Sequence, residues 1–416
     1  MSVPSTPRAV RVLVLAYVPP PLHGQSFMVA QLLAALHREA SAGTPLVVFH
    51  VDSRYSDDPA SLGRPGLFKL AAAMRYAWKA IRLRFSEGLD VLYYVPAPGK
   101  RFAVWRDWLV LGLVRPFFSR VVLHWHAAGL TPWLRERATA GERLVSRLVY
   151  GRASLSVVLT EEKGLEASYF DPRAVEVIPN GIPDPCPPLE FDALILPRKL
   201  ERGTRLAAFA SPREGDGTCL KLLYLSLATR EKGVFDALEV WEEVNRRLLA
   251  GRSPDRCALT VAGRFVDPEE ESEFLRDLAA AQARLRHLLG VKRLADAEVR
   301  VAGHLSGDAK SQAFADADLF LFPSRYPTEA FPVALIEAAH FGLPCLTYQP
   351  LIGERGLSAA FHRRVPSGDR EALAAAVIAL AANVGRCAEI RAEARRKYNV
   401  DDFGRRMAQA LIRAAH

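Results

Sequence analysis

Short apolar runs alternate with segments of helical periodicity along almost the whole chain. The runs Val10–Ala16, Leu46–Val51, Val91–Val95, Val121–His126, Leu155–Leu159 and Val175–Ile178 predict strands, and Ser26–Arg38 predicts a helix among them. A second series follows residue 218. Strands are predicted at Leu220–Leu225, Ala258–Ala262, Val299–Ala302, Leu319–Phe322 and Pro344–Tyr348. Helices are predicted at Val234–Leu249, Pro268–Leu289, Asp308–Ala315 and Arg370–Ala382. Strands alternating with helices imply parallel sheets, so the expectation is two doubly wound α/β domains, residues 1–183 and 219–395. Residues 184–218, rich in proline and charge and without clear periodicity, read as a linker with a surface excursion. Residues 396–416 are expected to form a C-terminal helix that packs back on the first domain.

Composition narrows the class. The chain has 416 residues, too many for one ordinary domain and enough for two cores. The five cysteines, Cys186, Cys219, Cys257, Cys345 and Cys387, are scattered without a CxxC pair. That argues against a metal site or disulfide framework and fits a reducing cytoplasm. The N-terminus runs directly into a strand without the apolar core of a signal peptide. Trp108 to Val114, the longest apolar run of the basic region, is too short to span a bilayer.

The net charge of +9 is unevenly placed. Between Arg64 and Arg120 there are eleven Lys/Arg and three acids, Glu87, Asp90 and Asp107, a local excess of +8 (11 − 3). Apolar residues interleave with bases in residues 67–85, LFKLAAAMRYAWKAIRLRF. This pattern fits a helix lying on an anionic membrane surface and equally an amphipathic helix with solvated charges. No recognition motif accompanies the charge, so nucleic-acid binding is not expected.

In doubly wound sheets ligands bind beyond the carboxyl ends of strands, which directs attention to the loops there. After the first strand, Gly24 precedes a helix that Ser26 could cap; it allows close approach of a ligand or simply a turn. His124 and His126 share one strand face, and His126 ends the strand before Ala127-Ala128-Gly129, so it should project into the cleft. Taken alone, a strand-end histidine is more often structural than functional, and without a third ligand nearby a metal is not expected. Asn180-Gly181 reads as a tight turn at the domain junction. In the loop 224–240, Lys232 and Gly233 precede a helix with Arg230 close by, and a lysine there can neutralise a diphosphate leaving group.

The segment PSRYPTEAFPVALIEAAHFGLP, residues 323–344, is the most informative. It sets Glu329 on a loop and Glu337 on the helix that follows, with Pro332 in the first helical turn. Free N–H groups and the helix dipole at such a mouth favour an anion. Two acceptor carboxylates beside an anion site suit a ligand with both hydroxyls and phosphates, such as a nucleotide sugar.

Taken in order, these loops resemble the retaining GT-B glycosyltransferases called glycosyltransferase family 4, and the opening PPPLHGQS looks like bacterial members that build surface polysaccharides or lipid-linked glycans. The resemblance implies a GT-B fold, two Rossmann-like domains facing a central cleft. It implies transfer of a sugar from a nucleotide-diphosphate sugar to a hydroxyl of a glycan or lipid-linked acceptor, with no metal or other cofactor. By the same resemblance Lys232 grips the diphosphate, Glu337 binds the ribose hydroxyls, and Glu329 holds hydroxyls of the transferred sugar. The N–H groups of Ala330, Phe331 and Val333 add contacts, His126 contacts the sugar near the reacting carbon, and Gly24 borders the diphosphate. Many members carry an arginine where this chain has Leu227, which leaves Arg230, or Arg264, as the candidate second cation. Two other readings share these features: a non-catalytic nucleotide- or carbohydrate-binding partner of a glycan-assembly complex, and another GT-B enzyme such as a sugar-nucleotide epimerase. The expected location is cytoplasmic, peripheral to the inner face of the plasma membrane.

Overall fold

A computed structural model describes residues 8–20, 24–54, 67–289, 297–348, 356–359 and 361–416. Two six-stranded parallel sheets organise the chain. The first contains β1 (Val10–Leu15), β2 (Leu46–Val51), β3 (Val91–Tyr94), β4 (Arg120–Trp125), β5 (Leu155–Val158) and β6 (Val175–Val177), in the order β2-β1-β3-β4-β5-β6. The second contains β7 (Cys219–Leu225), β8 (Arg256–Ala262), β9 (Val299–Gly303), β10 (Leu319–Phe322), β11 (Cys345–Thr347) and β12 (His362–Arg364), in the order β12-β11-β10-β7-β8-β9. Helices cover both faces, which is why β3, β5 and β10 are buried at every residue. Strand order reverses between β1 and β3 in one sheet and between β7 and β10 in the other. Reversal leaves neighbouring strand-end loops diverging over opposite faces, and the crevice between them is where such sheets bind ligands.

Several elements differ from the sequence reading, each for a physical reason. The segment read as an irregular linker contains the helix Leu196–Leu206 and shorter helical turns leading into it. Its buried residues Phe191, Ile195, Lys199, Gly203 and Leu206 fall at helical spacing, but a lysine and a glycine in the stripe disguise it. Lys199 bonds the Ala317 carbonyl, and burial pushes its pKa down to about 8. Gly203 lies against the backbone of Gly385, where no Cβ would fit. Strand β12 was missed because His362-Arg363-Arg364 carries no apolar run. The first helix runs Gly24–Ser41, so Ser26 is buried in its first turn rather than capping it. Residues 21–23 of the PPPLHGQS loop, and 64–66 of the basic region, lie outside the described residues. Pro332 takes the N-cap position with extended backbone, one residue before the helix Val333–His340.

Two crossings join the domains. The Asn180-Gly181 pair is not the tight turn that its sequence suggests. A Cβ at Gly181 would lie 2.6 Å from that of Phe403, so the glycine answers a need for space. Ile182 N–H donates to the Tyr398 carbonyl at 2.9 Å, binding the outgoing and returning strands together. The helix Val400–Ala415, capped by the Asn399 side chain, then packs on the helix Gly24–Ser41, with Gly404 against Ala35. Arg406 donates to the Val177 carbonyl at 2.6 Å and Arg120 to the His416 carbonyl at 2.9 Å.

Candidate active site

The two loops flanking the β7/β10 reversal carry the lysine and the first glutamate. Gly233, at φ +83°, is held against the Pro323 carbonyl so closely that a Cβ would collide with backbone. That contact presses the Lys232 loop onto the Pro323-Ser324 turn. The Lys232 ammonium consequently meets the Glu329 carboxylate, with both side chains about 15 % exposed or less. The Tyr326 ring stands 4.6 Å from Nζ and adds a cation–π attraction. Gly233→Ala is expected to destabilise the protein by more than ~1 kcal/mol, since neither the φ nor the space suits alanine. Urea denaturation measures this, and an unchanged midpoint would count against the packing described.

Glu337 has its own partner. Lys310, on the helix Gly307–Asp316, donates to its carboxylate at 2.6 Å. Burial raises the Glu337 pKa above the ordinary carboxylate value, and Lys310 opposes the rise. Lys310 was invisible in the sequence because it lies in a polar helical stretch with no motif. Ala330 and Phe331 are buried between the two glutamates, and their N–H groups and that of Val333 have no backbone acceptor among the described residues. They remain available to a ligand, as the N-terminus of a helix allows.

Arg230, the expected second cation, is not brought into this cluster. Its guanidinium pairs with Glu273 of the helix Pro268–Leu289 at 2.7 Å and lies 3.9 Å from the ring centre of Phe235 on the helix Val234–Ala250, so charge and stacking hold it between these two helices. Arg264 is exposed beyond β8. A cation does reach the cluster from the facing domain: Lys100 Nζ lies 3.4 Å from the Tyr326 hydroxyl.

The opposite wall comes from the first domain. Ala128 N–H donates to the Thr328 carbonyl at 3.2 Å, so the tip of β4 touches the loop carrying Glu329. His126 lies two residues before that contact. Its Nε2 is buried with no hydrogen-bond partner among the described residues. Burial pushes its pKa down to about 3, so the ring is neutral and offers one donor or acceptor, not a charge. His124 instead bonds the Tyr93 hydroxyl at 2.7 Å inside the core. Thr160, Asn180 and Tyr398, each about 2 % exposed, also carry side-chain oxygens without partners among the described residues. Sequence reasoning assigned no such role to them; only the lack of partners marks them. A Cβ at Gly24 would meet nothing within 4 Å, so packing does not demand that glycine.

Buried neutral histidines have a cost in acid. Burial pushes His362 down to about 4, as it pushes His126 to about 3. Unfolded histidines hold protons below about pH 6.5, so the unfolded chain binds more protons there and stability falls as pH drops from 6.5 towards 4. Each contributes a loss of up to about 2 kcal/mol at pH 5. Melting temperatures should therefore fall between pH 7 and pH 5; a flat profile contradicts this burial.

Among the described residues no three His, Cys, Asp or Glu gather as a metal site. A hollow of about 850 Å³ lies elsewhere on the second domain, and several of its charges pair with one another, Arg284 with Glu242 and Arg370 with Glu239. It contains none of the strand-end residues above.

Residues 214–397, which hold the lysine loop and both glutamates, match the family described as Glycosyl transferases group 1. The second domain is a glycosyltransferase domain. No curated protein matches the chain in sequence. Solved structures match its whole length. A UDP-forming trehalose-phosphate synthase from Burkholderia xenovorans is 11 % identical, with TM-score 0.61, covering 98 % of this chain and 100 % of its own. The N-terminal domain of trehalose-6-phosphate phosphatase from Candida albicans is 11 % identical, with TM-score 0.62, covering 100 % and 99 %. The catalytic domain of starch synthase IV from Arabidopsis thaliana, solved with ADP and acarbose, is 12 % identical, with TM-score 0.59, covering 98 % and 99 %. At such identities the likeness establishes the fold, which is GT-B. Of the candidate residues, the glycosyltransferase domain carries Lys232, Glu329, Lys310 and Glu337, and the first domain carries His126 and Lys100.

Proposed function

We propose that this chain transfers a sugar, with retention of anomeric configuration, from a nucleotide-diphosphate sugar to a hydroxyl of a glycan or lipid-linked acceptor, as a family 4 enzyme of bacterial surface-polysaccharide synthesis. The observation that carries the reading is the Lys232–Glu329 pair, set beside N–H groups without a backbone acceptor among the described residues, on a loop whose Thr328 carbonyl accepts from Ala128, two residues beyond His126. An arriving diphosphate competes for Lys232 and releases Glu329 to accept from sugar hydroxyls. Lys232 then neutralises charge as the diphosphate departs. Glu337 accepts from the ribose hydroxyls, and neutral His126 hydrogen-bonds the sugar. Gly24 leaves room for the phosphates.

Retention without a covalent intermediate fits this reading, because Glu329, once released from Lys232, is engaged by the sugar hydroxyls rather than by the reacting carbon. The departing diphosphate then takes the acceptor proton on the face it leaves. Contact between the lips at Ala128 and Thr328 excludes water, which limits hydrolysis of the donor. We place the reaction in the cytoplasm, without a metal or other cofactor, Lys232 and the helix mouth serving as the electrophile. The five cysteines are all free, as a reducing compartment allows.

The test is transfer from a panel of nucleotide sugars to glycan and lipid acceptors, with product anomers read by NMR and with chelator present. A retained linkage and chelator-resistant turnover support the reading; inversion contradicts it. The engagement of Arg230 by Glu273 favours one other reading, a non-catalytic nucleotide-sugar-binding subunit. That alternative predicts donor binding without transfer or hydrolysis.

A further inference from the structure

The helix Leu67–Glu87 on the first domain leaves one stripe uncovered. Trp78 is 69 % exposed, Phe85 68 %, Leu70 50 % and Met74 48 %. At about 100° per residue these four fall within about 80° of arc. Ala73, Tyr76, Ala77 and Ala80, on the adjoining about 100° of arc, are buried against the domain. The next about 60° of arc holds Arg82, Arg75 and Lys79, all exposed. Phe117, 41 % exposed, meets Phe85 edge to face at 5.6 Å and continues the apolar surface beyond the helix.

Large apolar side chains so exposed along one line are costly unless something covers them. Charge says what covers them. The three acids of the surrounding segment are spent on other partners: Glu87 pairs with Arg11 at 2.8 Å, Asp90 accepts from Arg11 N–H at 2.9 Å, and Asp107 is fully buried beside Arg106. No described carboxylate pairs with Lys79 or Arg82. The outward field over the stripe is therefore positive. Aromatic and aliphatic tips flanked by long bases match the hydrocarbon edge and headgroup layer of an anionic bilayer. Among the described residues no single helix is long and apolar enough to cross a membrane, so the stripe would lie on it.

We infer that this face, centred on Trp78 and Phe85 and flanked by Lys79 and Arg82, docks the protein on an anionic lipid surface. The docking needs neither the donor site nor the transfer reaction. Each base adds attraction that salt screens, while the apolar tips add a component that salt does not remove.

The full chain should float with phosphatidylcholine vesicles holding about a third phosphatidylserine, and float at least about tenfold less with phosphatidylcholine alone. Trp78→Ser combined with Phe85→Ser, and separately Lys79→Glu combined with Arg82→Glu, should each lower the bound fraction about tenfold or more. All four side chains are exposed, and circular dichroism with melting curves confirms that the variants are folded. Absence of flotation, equal binding to both vesicle types, or wild-type binding by folded variants overturns the inference. So does sedimentation showing that the stripe joins two copies of the chain in a dimer that vesicles do not compete away.

Discussion

Lys232→Met is expected to lower kcat about 100- to 1,000-fold with a smaller change in KM, the cost usual for removing one preorganised group at a site of developing charge. The ammonium is largely buried, set over the Tyr326 ring and joined to Glu329, so it is already desolvated and fixed. A water molecule entering the mutant cannot replace that charge on a departing diphosphate. Two controls separate chemistry from folding. Lys232→Arg keeps a cation and should recover part of the rate. The double variant Lys232→Met with Glu329→Gln removes the stranded carboxylate and should recover stability without recovering turnover. Steady-state kinetics with saturating donor provides the measurement, and near-wild-type kcat in Lys232→Met contradicts the role.

Glu337→Ala should act on the donor instead, raising its KM or Kd about 10- to 100-fold, as expected when hydrogen bonds to a charged acceptor are lost. It also leaves Lys310 without its carboxylate. Lys310→Met then becomes informative: it frees Glu337 but buries an unpaired charge, and the raised pKa of Glu337 should climb further. In the wild type, donor affinity should begin to weaken as pH falls while still above 4.5, because protonation removes the charge and turns one of the two accepting oxygens into a donor. Isothermal titration across pH separates this effect from the rate effect of Lys232.

The sheets, their parallel sense and most strand positions were legible because β-branched and leucine runs buried on both faces need no partner residues to be recognised. The order of strands was not legible, and it is the reversal at β7 and β10 that explains why Lys232 and Glu329, 97 residues apart, share one site. Glu329, Glu337, Lys232 and His126 could be named from motif and strand-end position. The partner of Arg230 was not legible, because nothing local shows that Glu273, on the next helix but one, would pair with it. Lys310 and Lys100 lie outside any motif and are functional candidates only through the contacts they make in space. The helix Leu196–Leu206 was hidden by its own packing, since its buried stripe uses Lys199 and Gly203, residues that read as surface and turn. Gly181 carries a related lesson. Its sequence signals conformation, and its structure answers a lack of room.

The most direct measurement is a thermal-shift and calorimetric panel of UDP, GDP, ADP and their sugars against the wild-type chain, Lys232→Met and Glu337→Ala. A ligand held by the folded state alone raises the melting temperature according to its concentration over Kd. The account predicts that one nucleotide series stabilises the wild type without added metal, and that both substitutions diminish the shift. If none of the series shifts the wild type, or Glu337→Ala is stabilised as much as the wild type, the cleft is not the nucleotide-sugar site described.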